Sequence, residues 1–250
     1  MQYLELFGIK LAATTYQELS SIVFEHISKN EKPHAGIAAL AVHGLMEGYN
    51  DPILKQRLNA LDWVVPDGQP VRWALNYFHK AGLQKRVYGP TLMLCLLQEA
   101  EKYQVPVFFY GSKPRTLELL QMNLKARFPS LMIAGVQADR FRESTVQEKK
   151  LDQDTITQSG AKLVFVGRGC PRQEHWVAEN KNQIPAVLVA VGAAFDFHAG
   201  TVKQAPSLLQ DWGMEWLFRL WQEPGRLWRR YLVTNSQFIF LFFRKLLLGS

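Results

Sequence analysis

Apolar residues along the chain fall into short runs separated by longer stretches of mixed polarity. The runs at 37–42, 63–65, 105–110, 131–136, 163–166 and 186–191 are the clearest. They are short and apolar at successive positions, so neither face is left for water. Parallel strands covered by helices on both sides have this character. Helical patterns at about 71–80, 91–103, 114–128, 144–159 and 172–181 lie between them. Ahead of the first run, Thr15-Tyr16-Gln17-Glu18 is a capping-box pattern that opens a helix to about residue 29.

This alternation predicts an α/β protein with an open, Rossmann-like, mostly parallel sheet and helices on both faces. Four strand ends run into glycine: Val65-Pro66-Asp67-Gly68, Tyr110-Gly111-Ser112, Val166-Gly167-Arg168-Gly169 and Val191-Gly192. Ligands of such sheets sit at the carboxyl ends of the strands, so these four places hold the first candidate site residues. From about residue 206 the strand runs stop, and Trp212, Trp216, Trp221 and Trp228 interleave with arginines. The chain is therefore expected to divide into an α/β body, 1–205, and a helical C-terminal appendage, 206–250. Pro224-Gly225 breaks the helical phasing of Arg219, Arg226 and Arg230, which predicts two helices meeting there, with Pro224 near the start of the second.

Composition narrows the possibilities. With 48% hydrophobic and 20% charged residues there is ample core, and disorder is excluded. Only two cysteines, Cys95 and Cys170, exclude a disulfide scaffold and a Cys-built zinc site. Cys95 lies in an apolar run and reads as core; Cys170 reads as a bystander. The opening Met1-Gln2-Tyr3-Leu4-Glu5 does not look like a signal peptide, and the tail run 238–243 is closed by Arg244-Lys245, far short of the roughly 18 apolar residues that a span needs. A cytoplasmic protein is expected.

The net charge is +7, and it is unevenly placed: five of the 29 basic residues and none of the 22 acidic ones follow Glu223. A basic, aromatic tail suggests an anionic partner.

Several residues could carry chemistry. Asp67, in a strand-end turn, could take a proton from an attacking hydroxyl, or simply cap the turn. In Gly167-Arg168-Gly169-Cys170-Pro171-Arg172-Gln173-Glu174 a glycine turn opens a helix. Its backbone N–H groups suit phosphate, Arg168 or Arg172 could hold a diphosphate, and Gln173 could read a base or sugar edge. It is neither a dinucleotide fingerprint nor a P-loop, so a plain glycine turn competes with that reading. Asp196 follows the last strand and doubles as a turn-capping candidate. Asp152-Gln153-Asp154 has the look of a metal–nucleotide pair but lies within a polar helical stretch, which reads as a solvated face. Six scattered histidines show no pair at ligand spacing, so no metal or other cofactor is expected.

These pieces occur in a recognisable order. Pro66-Asp67-Gly68, Lys85-Arg86-Val87-Tyr88-Gly89-Pro90, the 167–174 segment, the 191–200 segment and Glu215-Trp216-Leu217-Phe218-Arg219-Leu220-Trp221-Gln222-Glu223-Pro224, with Arg226 and Arg229-Arg230, resemble the WecG/TagA/CpsF glycosyltransferases from about residue 5 to 235. The resemblance implies inverting, metal-independent transfer of an N-acetylmannosamine-type sugar in bacterial surface polysaccharide synthesis. The donor would be a UDP-sugar and the acceptor a polyprenyl-diphosphate-linked sugar at the inner face of the cell membrane. It implies that Asp67 is the general base, that Arg86 and Gln173 line the pocket, and that Arg219, Arg226 and Arg229 or Arg230 meet diphosphate. The strand-end residues Gly111, Gly167 and Asp196 complete the candidate substrate-binding set. Oligomerisation is left open.

The chain departs from the pattern in three places. Ala39-Leu40-Ala41-Val42-His43 stands where the family often has Thr-x-Asn, Thr91 stands where Asp is usual, and Gln204-Ala205-Pro206 where Arg-Ala-Pro is common. These changes bear on the donor sugar more than on the reaction class. A competing reading is a nucleotide- or nucleic-acid-binding α/β protein without transferase activity, its Trp and Arg residues stacking bases and holding phosphates.

Overall fold

The computed structural model describes residues 1–248, and of Arg226 the backbone alone. In chain order it contains β1 (Gln2–Leu6), β2 (Ile9–Ala13), α1 (Tyr16–Lys29), β3 (Ala35–Leu40), α2 (Val42–Asn50), α3 (Pro52–Asn59), β4 (Trp63–Pro66) and α4 (Gln69–His79). Then follow α5 (Gly89–Lys102), β5 (Val107–Gly111), α6 (Pro114–Arg127), β6 (Ile133–Gln137), α7 (Val146–Gln158), β7 (Leu163–Gly167), α8 (Arg172–Asn180) and β8 (Val187–Ala190). The chain closes with α9 (Ala194–Ala199), α10 (Ser207–Asp211), α11 (Glu215–Gln222) and α12 (Pro224–Leu248).

Six strands form one sheet in the order β4-β3-β8-β7-β5-β6, every pair parallel. All six predicted runs are in it. Alternate residues feed two cores. Ala38, Leu40, Val64, Phe108, Tyr110, Val164 and Leu188 pack on the face covered by α2, α3, α4 and α8. Ile37, Ala39, Val65, Phe109, Phe165 and Val189 pack on the face covered by α1, α5, α6 and α9. Except along the edge strand β6, where every residue is only half-buried, neither face reaches water, which is why the inner strands read as unbroken apolar runs.

The structure corrects the sequence reading at several points. The first predicted run stops at Leu40, and Val42 starts α2. Gly44 and Gly48 let that helix lie close: an added Cβ would come 2.5 Å from Leu40 Cδ1 and 2.7 Å from Ile9 Cδ1, respectively. The β1–β2 hairpin was not anticipated; it turns at Phe7-Gly8, both at positive φ, and buries Leu4, Leu6, Ile9 and Leu11. Thr15 caps α1 by accepting from the Glu18 N–H at 3.2 Å. Cys95 is only partly buried. Asp152 is not solvated: its buried carboxylate takes a fork from Arg140 (2.7 and 2.8 Å), the Tyr110 hydroxyl (2.9 Å) and the Gln137 amide.

Two helices do meet at Pro224, α11 and α12. Half of the tail's apolar run points inward. Phe238 and Leu241 join the core beside α4, and Phe242 packs 4.9 Å from Phe78, ring centre to ring centre. Ile239, Phe240 and Phe243 stay exposed.

Candidate active site

The segments after adjacent strands β3 and β8 leave to opposite faces, α2 to one and α9 to the other. That opens a crevice at the carboxyl edge, where such sheets hold ligands. Asp67 stands beside it. Its N–H donates to Leu40 O at 3.2 Å, tying the turn to the end of β3. Val87 N donates to Pro66 O at 2.9 Å, which lays the segment carrying Arg86 and Tyr88 alongside. The Gly89 N–H, at the start of α5, donates to the Asp67 carboxylate. Only glycine fits there, because a Cβ would lie 2.8 Å from Val191 O.

Asp67 is only partly open to solvent. Burial raises its pKa to about 7, Arg86 pulls it down, Glu215 pushes it up, and the Gly89 N–H and Arg219 pull it down again. A carboxyl poised there can both hold a proton and accept one near neutrality. Burial also acts to lower the pKa of Arg86, but Asp67 and Glu215 outweigh it, so the guanidinium stays charged. Arg219 stacks over the Phe197 ring at 5.6 Å and lies 4.0 Å from Glu223. Thr91 hydrogen-bonds Tyr16, whose hydroxyl also accepts from Tyr88 N at 2.9 Å, so this departure from the family pattern serves the scaffold around Asp67.

Across the crevice, Gln173 is buried and accepts from Gly192 N at 3.2 Å, joining the β7 and β8 ends. Its amide donates to Glu174 at 2.9 Å. Burial pushes the Cys170 thiol and the Glu174 carboxyl up, so Cys170 stays protonated and unreactive. His43 lies 3.5 Å from Glu47, yet burial, then Arg230, hold its pKa down at about 4; the ring is neutral.

The remaining candidates divide. Arg230 acts on His43 and Cys170 at the crevice, whereas Arg229 is exposed and lies over the Trp228 ring at 5.6 Å. The side chain of Arg226 lies outside the described residues. Arg168 and Arg172 are turned onto the buried Asp139, at 2.9 and 2.8 Å, so both have a protein carboxylate as partner. Gly111 and Gly167 abut across β5 and β7, and their missing side chains make room for protein: Gly167 O lies 2.6 Å from a Cβ on Gly111, and Phe195 Cδ2 2.6 Å from one on Gly167. Asp196 bonds Thr201 through both its carbonyl and its carboxylate, closing the turn after α9. Among the described residues no three His, Cys, Asp or Glu side chains converge as a metal site.

Sequence reasoning placed Glu215 in the 215–224 segment but gave it no role; it is the buried carboxylate that Arg86 and Tyr88 grip. A Glu at the start of an apolar helix reads as a helix-start residue, and its partners are more than 120 positions away.

A parallel α/β crevice in which a carboxylate held near neutrality lies beside fixed cations is an arrangement suited to group transfer. The sequence model of the Glycosyl transferase WecG/TagA/CpsF family matches residues 4–250, and the chain belongs to that family. It is similar to the N-acetylglucosaminyldiphosphoundecaprenol N-acetyl-beta-D-mannosaminyltransferase of Bacillus spizizenii, 33% identical over 187 residues, which are 74% of this chain and 70% of the relative. The chain is thus a glycosyltransferase, and the reading without transferase activity is set aside.

Proposed function

We propose that the protein moves an N-acetylmannosamine-type sugar from a UDP-sugar to a polyprenyl-diphosphate-linked acceptor, with inversion and without a metal ion. The observation that carries this is Asp67, held near neutrality beside Arg86 and Arg219 at the strand ends. The acceptor hydroxyl gives its proton to Asp67 as its oxygen bonds to the anomeric carbon. The bond from that carbon to the UDP oxygen breaks on the opposite side, and UDP leaves with the electron pair. Arg86 and Arg219, with Arg230 across the crevice, are fixed cations of the kind that stabilise charge developing on a leaving diphosphate. The resemblance assigns Gln173 to the pocket, and it, Asp196, Gly111 and Gly167 all follow or end strands at the same edge of the sheet.

The body, 1–205, carries the base and Arg86, and the appendage, 206–250, carries Arg219 and Arg230 and rests on the membrane. No described helix is long and apolar enough to cross a membrane. Trp212, Trp221, Trp228, Phe240 and Phe243 are exposed on it, interleaved with Arg229 and Arg244. Such a surface suits an anionic leaflet, where each basic residue contributes up to about 1 kcal/mol.

The test is transfer by the full chain to a lipid-diphosphate acceptor from a panel of UDP-sugars. Asp67→Asn is expected to lower the rate by about 10²–10⁴-fold, and a chelator to leave it unchanged. Undiminished transfer by Asp67→Asn, or strict dependence on added divalent metal, contradicts the reading.

A further inference from the structure

The appendage brings into the site one carboxylate that proton transfer itself does not require. Glu215, the first residue of α11, is buried. Its Oε2 lies 2.6 Å from Arg86 Nη2, and its Oε1 accepts from the Tyr88 hydroxyl at 2.6 Å. The Arg86 guanidinium lies over the Tyr88 ring, 4.1 Å from its centre. Gln210 Oε1 in α10 takes a longer bond from the same Nη2 at 3.4 Å. The two appendage helices are thus fixed to the segment that runs beside Asp67.

We propose that Glu215 is a positioning residue: it occupies Arg86, sets a second negative charge near Asp67, and so ties the proton affinity of the base to docking of α11. This rests on the reading of Asp67 as the base.

The groups facing Asp67 are Tyr16 from α1, Arg86 and Tyr88 from the segment before α5, the Gly89 N–H, and Glu215 and Arg219 from α11. Of the charged ones, Arg86 and Arg219 favour the ionised carboxylate, and Glu215 opposes it. Without Glu215, Arg86 is free to pair with Asp67. A permanently paired carboxylate is a weak base. Docked, Glu215 competes for that guanidinium and preserves the basicity of Asp67.

The experiment is a ¹³C NMR titration of the Asp67 carboxyl in the full chain, its signal assigned by loss in Asp67→Asn, run beside the pH profile of transfer. Glu215→Gln is expected to lower the Asp67 midpoint by about one unit or more, and to move the acid limb of kcat/KM with it. Glu215→Asp keeps the charge and should keep the midpoint, with a slower rate from its shorter reach. A merely structural latch would lower the rate of both variants and leave the midpoint in place. An unmoved midpoint in Glu215→Gln, or a fall of about one unit or more below the unmodified protein in Glu215→Asp, overturns the proposal; the second reading needs only the Asp variant and stands even where the Gln variant does not fold. A midpoint that moves while the acid limb does not would uphold the coupling and overturn Asp67 as the base.

Discussion

Burial keeps the Asp67 carboxyl from ionising until near neutrality, which is what the proposed role as base requires. The arrangement has a stability cost with a defined sign. The folded pKa lies above the unfolded one, so what this group contributes to stability is fully present only below its ordinary value, under about pH 4. That stability is lost as pH rises towards about 7. Asp67→Asn removes the penalty. Its melting temperature should exceed that of the unmodified protein at pH 8, with a smaller gain at pH 4.5; an equal gain at both contradicts the assignment. Asp139 is the opposite kind of residue, a buried carboxylate fully engaged by Arg168 and Arg172. Asp139→Asn leaves two guanidinium groups without their anion and should cost about 3–5 kcal/mol in urea unfolding. An unchanged midpoint would show that the pairs are surface ornaments. Asp67 was legible in the sequence because a strand end and a glycine turn frame it. Asp152 and Glu215 were not, because the partners that bury them, Arg140 and Tyr110 for one and Arg86 and Tyr88 for the other, are brought up only by tertiary packing.

At the level of elements, the inner sheet strands were legible because a strand covered on both faces must be apolar throughout, and the edge strand β6 because its run is apolar although its residues are only half-buried. The hairpin was less visible, since its outward positions, such as Tyr3 and Glu5, are exposed and only alternate residues are buried. Helix α2 was hidden because its first residue continues the apolar run of β3, and Ala41 makes no side-chain cap to mark the boundary. Close approach of elements has a direct test at Gly167. A methyl group there would sit 2.6 Å from the Phe195 ring, which is itself wedged against Phe109. Gly167→Ala should therefore destabilise the protein by about 1–3 kcal/mol. Unaltered stability in denaturant would mean that β7 and α9 have slack that the structure does not show.

For the whole molecule, the charge asymmetry and the topology meet at one edge. The basic tail does not trail away. Phe238, Leu241 and Phe242 anchor α12 to the body, and its outer face and α11 leave tryptophan and phenylalanine in solvent. Removing the whole tail would therefore damage the core as well as any membrane contact, and surface substitutions are the cleaner probe. Combined Trp221→Ser, Phe240→Ser and Phe243→Ser should lower binding to anionic vesicles at least about tenfold without lowering the melting temperature. Unchanged vesicle binding would remove this face from the membrane contact.

If Asp67 takes the acceptor proton, the pH dependence of kcat/KM for sugar transfer must follow its titration. The rate is expected to rise with pH through a midpoint at about 7, as Asp67 loses its proton, and to lose this limb in Asp67→Asn. A flat profile across that midpoint, or the same limb in the Asn variant, would mean that Asp67 is not the base.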